Sequence, residues 1–224
     1  PEASRVISVC VTRQKRHSCH RAVATAMYSR SPADQKDGPR MARAASRTTG
    51  AAGAALAAGA GIAAGLALEG NIPFIFGMIP FMVMRACEQN RTAICYQDLP
   101  VRFIGTGGGL TSEGGSTHNA MEDIGIMKSL VNMTVLSVGD PNMVRDIMLL
   151  SMTYPHPLYL RLAQGKKDRM LYEPGKYQYK IGIGLTAREG KDATIIAHGE
   201  MVFEALLTAD LLKAEGIDIR VVDM

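Results

Sequence analysis

The sequence predicts an α/β fold: a parallel sheet with helices on both faces, followed by the first β-α-β unit of a truncated carboxyl-terminal α/β domain. Three observations predict it. From about residue 60 onward, short apolar runs alternate with longer helix-like segments. The apolar runs are nearly continuous rather than alternating, as strands covered on both faces are. One of them leads into a glycine-rich loop with Gly at 107, 108, 109, 114 and 115 before a helix-like segment begins. That is how a strand meets a ligand at the carboxyl edge of an open sheet.

The elements follow in order. Ala51–Leu68 is uncharged and built almost wholly from Ala and Gly. Its length approaches that of a membrane span, but such small residues gain little from hydrocarbon, so a helix packed closely on a sheet is the better reading. Ile72–Ile79 is a buried-strand run, and Phe81–Tyr96 reads as a helix with Pro80 near its first turn. Val101–Thr106 is again strand-like. After the glycine loop, Thr117–Leu130 reads as a helix, with Glu122 and Asp123 complementing the helix dipole. Met133–Val138 is a strand, Pro141–Met152 a helix and Leu158–Leu162 a strand. Residues 164–191 are polar and glycine-rich, and read as a linker with room for a short hairpin. Ala193–Ala197, Met201–Glu215 and Ile217–Val222 form one β-α-β unit, with Gly216 as the helix C′ residue. Two strands and a helix cannot close a core, so this second domain, residues 192–224, is expected to be incomplete or completed by something else.

Composition bounds the function. The chain has 224 residues, 47% hydrophobic and 21% charged, which excludes wholly disordered, collagen-like and coiled-coil classes. Its net charge of +4 is an average of two unlike parts. Residues 1–50 carry ten Lys/Arg against three Asp/Glu, and the remainder fifteen against eighteen. The basic head shows no sustained periodicity. Only Tyr28 interleaves its charge with an aromatic ring, so a nucleic-acid-binding tail is disfavoured and no nucleic-acid partner is expected. Val6 to Thr12 is apolar but too short for a signal peptide, and charge follows it. Four cysteines are too few for a disulfide scaffold, which points to a reducing, cytoplasmic setting with no membrane partner. His17, Cys19 and His20, with Cys10 upstream, suggest a zinc site, but their spacing matches no standard finger and chance clustering is the favoured alternative.

Three side chains could carry chemistry at the carboxyl edge. His118 can donate to a substrate oxygen or move a proton; capping local backbone is the alternative. Phe81, beside Met78, Met82 and Met84, reads as core from periodicity alone. Arg161 ends a strand where anions bind, and an exposed salt bridge is the rival reading. The glycine loop is neither a phosphate-binding Walker loop nor a clean dinucleotide fingerprint.

Together, Gly61-IAAGLALEG-Asn71-IPF, Met84-RACEQ-Asn90, Gly105-TGGGLTSEGGSTHNAMED-Ile124 and Leu130-VNMTVL-Ser137 resemble the pyrimidine-binding domain of the transketolase family. The likeness is to the carboxyl-terminal half of split transketolases and covers roughly residues 60–224, with 1-deoxyxylulose-5-phosphate synthase a near relative. It implies a thiamine diphosphate-binding pyrimidine domain over 56–163. It also implies an amino-terminal partner subunit that holds the diphosphate and Mg²⁺, a homo- or hetero-oligomer, and transfer of a two-carbon ketol unit between sugar phosphates. The resemblance makes Phe81 the ring that stacks on the aminopyrimidine, with Arg85 and Glu88 as further cofactor contacts. It makes His118 a contact to substrate hydroxyls and Arg161 the grip on the sugar phosphate. No Gly-Asp-Gly motif with a downstream Asn is present, so the resemblance assigns no metal ligand to this chain.

This chain departs from the family where His is common at position 107 and an acid at 114; both are glycine here. A larger departure lies upstream. The family's essential Glu hydrogen-bonds the aminopyrimidine ring nitrogen, and by offset from Gly61 its position is Leu56. No Asp or Glu occurs between Asp37 and Glu69. A leucine shares no proton, so the chain is expected to be inactive as written, either as a non-catalytic subunit or as a copy whose residues 1–55 are disordered or out of frame.

Overall fold

The computed structural model describes residues 6–10, 49–112, 114–163 and 170–224. His17, Cys19 and His20, and most of the basic head, lie outside the described residues.

The first sheet has five strands: β1 (Val6–Cys10), β2 (Ile72–Met78), β3 (Arg102–Thr106), β4 (Thr134–Val138) and β5 (Leu158–Leu162). Their order is β1-β2-β3-β5-β4, and every pairing is parallel. Helices cover both faces, as the sequence predicts. On one face Ile75, Phe103 and Tyr159 pack with Leu56, Ala60, Ala63, Met82, Ile94 and Met127. On the other, Phe74, Ile104, Leu158 and Leu160 meet Val144, Ile147 and Met148.

Helix α1 (Thr49–Leu68) is the small-residue helix expected over 51–68. Leu56, Ala60, Ala63, Ala64 and Ala67 are buried, at the spacing of one helical face. Among the described residues no helix is long and apolar enough to cross a membrane. The short side chains let α1 settle against β2, where a Cβ on Gly77 would stand 3.1 Å from Leu56 Cδ2.

Four segments differ from the sequence expectation. Val6–Cys10 forms an edge strand in register with Ile72–Phe76, although residues 1–50 read as aperiodic. Five residues of β-branched and small side chains carry too short a pattern to register as a strand without their partner. Residues 80–95, α2, are not one regular helix. Pro80–Met84 and Asn90–Cys95 wind as π-helix around a single α turn at Cys87–Gln89. Buried Asn90 sits at the break and donates from Nδ2 to the Met82 carbonyl at 2.8 Å. Helix α3 spans only Asp123–Ser129 rather than 117–130. The glycine loop folds back first: Gly109 and Ala120 exchange N–H···O bonds of 2.6 and 3.0 Å, which holds the chain out of helix until Glu122.

Helix α4 (Pro141–Ser151) starts as expected, with Asp140 as N-cap accepting from Asn142 N and Met143 N and Pro141 in the first turn. The fourth difference is in the second sheet. It has three strands in the order β6-β8-β7: β6 (Leu185–Arg188), β7 (Ala193–Ala197) and β8 (Ile219–Asp223). β7 and β8 are the parallel pair expected around α5 (Met201–Ala214), and Gly216 has φ +84°. β6 arises inside the segment read as linker and pairs antiparallel with β8, its strand character masked by Gly182, Gly184 and Gly190 nearby.

Candidate functional site

The carboxyl ends of β2, β3 and β5 bring the sequence-predicted residues into two adjacent groups. In the first, Phe81 follows directly on β2, and its ring is nearly buried. His118 meets it edge-on, with ring centroids 5.3 Å apart and an interplanar angle of 87°. The Arg85 guanidinium lies 5.3 Å from the centroid of the Phe81 ring, a cation–π distance. His118 is held by the loop that precedes it. Its N–H donates to the Gly115 carbonyl at 3.0 Å, and Nδ1 lies 2.9 Å from the Thr117 hydroxyl. A Cβ on Gly114 would come within 2.5 Å of the His118 ring, so the acid common at 114 in the resembled family cannot be accommodated in this loop conformation.

The second group centres on Arg161. β5 carries Tyr159 and Arg161 on one face, two residues apart. Arg161 Nε donates to Asp123 Oδ2 at 2.8 Å, and the Tyr159 hydroxyl donates to the same oxygen at 2.7 Å. The Asp123 side chain is fully buried and that of Arg161 only 11% exposed. Burial, then the Asp123 charge, raises the Tyr159 hydroxyl far above its ordinary range, so it is a permanent donor here. The guanidinium lies under the glycine loop: a Cβ on Gly108 would stand 2.7 Å from Cζ. The salt-bridge reading of Arg161 is corrected in one respect: the ion pair exists, but it is buried rather than exposed.

Glu88 joins neither group. It accepts from Gln89 Nε2 and Thr92 Oγ1 at 3.0 and 2.7 Å, within its own helix. Sequence reasoning placed Asp123 only as an acid in a helix's early turns. Its role as anchor for Tyr159 and Arg161 has no local signature, because the partners lie 36 and 38 residues away.

Leu56 is 1% exposed, in the same core cluster as Phe81 and Ile79, and reaches Gly77 near the carboxyl end of β2. Helix α1 contains no acidic residue. The residues present therefore offer a ring face at Phe81. They do not fit the proton-sharing contact to an aminopyrimidine nitrogen, because an apolar side chain fills the position implied for it. Among the described residues, no group of His, Cys, Asp and Glu could hold a metal ion.

Residues 57–167 match the family model described as "Transketolase, pyrimidine binding domain", and residues 182–224 match "Transketolase, C-terminal domain". A 6-deoxy-6-sulfo-D-fructose transketolase subunit of Clostridium sp. (strain MSTE9) is 35% identical over 160 residues, covering 71% of this chain and 49% of its own length. A 1-deoxy-D-xylulose-5-phosphate synthase of Geobacter metallireducens is 33% identical over 158 residues, covering 70% of this chain and 25% of its own. A solved split-gene transketolase, described as an inactive beta4 tetramer, superposes with a TM-score of 0.73 at 30% identity, covering 97% of this chain and 64% of that one. The chain spans about half the length of the transketolase-subunit relatives it matches.

Proposed function

The chain belongs to the transketolase family, and from that premise we propose that it is the pyrimidine-side half of a two-subunit transketolase, able to bind substrate but not to turn it over. What supports this reading is Phe81, His118 and Arg161 at the carboxyl ends of the strands, together with a buried leucine at position 56, where the family resemblance implies an acid. An amino-terminal subunit would supply the diphosphate and Mg²⁺ site, and thiamine diphosphate would lie between the two, in the cytoplasm. The cofactor, when bound, supplies the carbanion chemistry of ketol transfer. This chain's own part is to present the Phe81 ring, to donate from His118 to a substrate oxygen and to bind a phosphate at Arg161. The relatives, an apulose-4-phosphate transketolase subunit among them, support a sugar-phosphate substrate and a subunit role.

A second reading is a scaffold subunit that binds a partner without binding substrate; the Leu56 substitution favours it equally. The test combines the full chain with the amino-terminal subunit of a split transketolase, thiamine diphosphate, Mg²⁺ and xylulose 5-phosphate. Ketol transfer is expected at least about 10²-fold below that of a subunit carrying the acid, the usual scale of a lost general acid or base. Xylulose 5-phosphate binding is expected to persist and to disappear in Arg161→Ala. Turnover at an ordinary rate would overturn the proposal. Absence of sugar-phosphate binding in the wild-type chain would leave the scaffold reading standing.

A further inference from the structure

Arg161 is set among its neighbours more tightly than a surface anion grip requires. Its Nε is committed to Asp123 Oδ2 at 2.8 Å, and the same oxygen takes the Tyr159 hydroxyl at 2.7 Å. The missing Cβ of Gly108 leaves space for the guanidinium carbon, and that of Gly109 would stand 3.4 Å from Nη2. A guanidinium tethered through Nε and confined beneath two glycines has little freedom to turn. Asp123 Oδ1 is buried with no hydrogen-bond partner among the described residues. A buried carboxylate with an unsatisfied oxygen is a poor device for stability, since a well-packed apolar side chain would serve at least as well.

We propose that Asp123 is a positioning residue: through Nε it fixes the orientation in which Arg161 meets the phosphate of a substrate. The inference rests on the reading of Arg161 as the phosphate contact. Asp123 does not touch the substrate; it acts by making one guanidinium orientation persistent, so less order has to be imposed on binding. A planar fork held in one plane matches phosphate in a way a mobile cation does not.

The test uses the full chain and inorganic phosphate as probe, with affinity from calorimetry and the Arg161 Nε–H resonance observed by ¹⁵N-resolved NMR. In the wild type this resonance is expected to be slow to exchange. Asp123→Asn should release it and weaken phosphate binding about ten-fold or more, the scale of a lost charge-assisted bond. Arg161→Lys keeps the charge but loses the fork, and should weaken binding to a similar degree. Arg188→Ala removes a positive charge whose partner is Asp210 in the second sheet's helix, and should leave affinity unchanged. If Arg161→Lys, or a folded Asp123→Asn, binds phosphate as the wild type does, the positioning role is overturned. If Arg161→Ala binds phosphate unchanged, the phosphate reading itself fails, and the proposal with it. A protected Nε–H in the wild-type chain would then show that the tether exists but serves packing alone.

Discussion

Arg102 is the largest side chain the core encloses completely. It sits in β3, yet its head leaves the sheet to collect the carbonyls that α4 and the following turn leave open. Nε and Nη2 reach Ser151 O at 3.0 and 2.6 Å, Nη1 reaches His156 O at 2.7 Å, and Nη2 also donates to Tyr154 O. Burial pulls its guanidinium down to about 10, still charged near neutrality. Arg102→Met should cost about 3–5 kcal/mol, because three carbonyls lose a charged donor. A urea titration reads this as a fall in midpoint at unchanged slope; a loss under about 1 kcal/mol would mean that water takes over the bonds. In sequence Arg102 is an isolated charge at the start of an apolar run and gives no hint of this. The same limit hid Asp123. A buried charge is legible only through partners, and these partners lie tens of residues away.

At the scale of elements, the two sheets meet through backbone. A Cβ on Gly139 would stand 2.1 Å from the Gly199 carbonyl oxygen, and His198 Nδ1 lies 3.0 Å from Ser137 Oγ. Next to this contact, Asp140 caps α4 with Oδ1 and accepts Leu171 N and Tyr172 N on Oδ2 at 2.5 and 3.2 Å. Gly139→Ala is therefore expected to separate residues 182–224 from the first sheet while leaving that sheet folded. Limited proteolysis checks it: cleavage between 164 and 182 should accelerate, and an unchanged digestion rate would show that the backbone shifts to absorb the methyl group. Strands β2 to β5 were legible because each is an apolar run bounded by turn residues; β5 and β7 match their expected ranges. What was not legible depends on tertiary pairing. β1 and β6 are strands by virtue of their neighbours, α3 is shortened by a bridge between Gly109 and Ala120, and α2 takes its π turns around Asn90.

Across the whole molecule, one tyrosine joins the parts. Tyr172 receives Asn142 Nδ2 on its carbonyl at 2.9 Å, and its hydroxyl donates to Asp223 Oδ2 at 2.8 Å. Tyr177 packs against it edge-on with centroids 5.1 Å apart. Burial pushes the Asp223 carboxyl from 3.8 up to about 6, the Asp140 charge adds to the rise and the Tyr172 hydrogen bond opposes it. A carboxyl group whose pKa is raised on folding favours the folded state while protonated. Its contribution is complete below about pH 4 and is lost as pH rises through about 6. Asp223→Asn should therefore flatten the stability profile over that window and stabilise the chain at pH 8 by about 2–3 kcal/mol. Thermal melts from pH 4 to 8 read this directly; parallel profiles for wild type and variant would show Asp223 to be solvated. The site is distributed in the same way. The motifs of the resemblance single out Phe81, His118 and Arg161, while the Asp123 anchor beneath Arg161 and the bonds of exposed Glu88 within its own helix are legible only in the fold.

Leu56 and Gly77 occupy one shared volume, with 3.1 Å between the leucine's Cδ2 and the place a Cβ would take on the glycine. The two positions therefore constrain each other. While a leucine stands at 56, a methyl group at 77 is crowded; once 56 is shortened, the same methyl group has room. Substitutions at 56 and 77 are therefore expected to be non-additive: Gly77→Ala should be better tolerated beside Leu56→Ala than beside the native leucine.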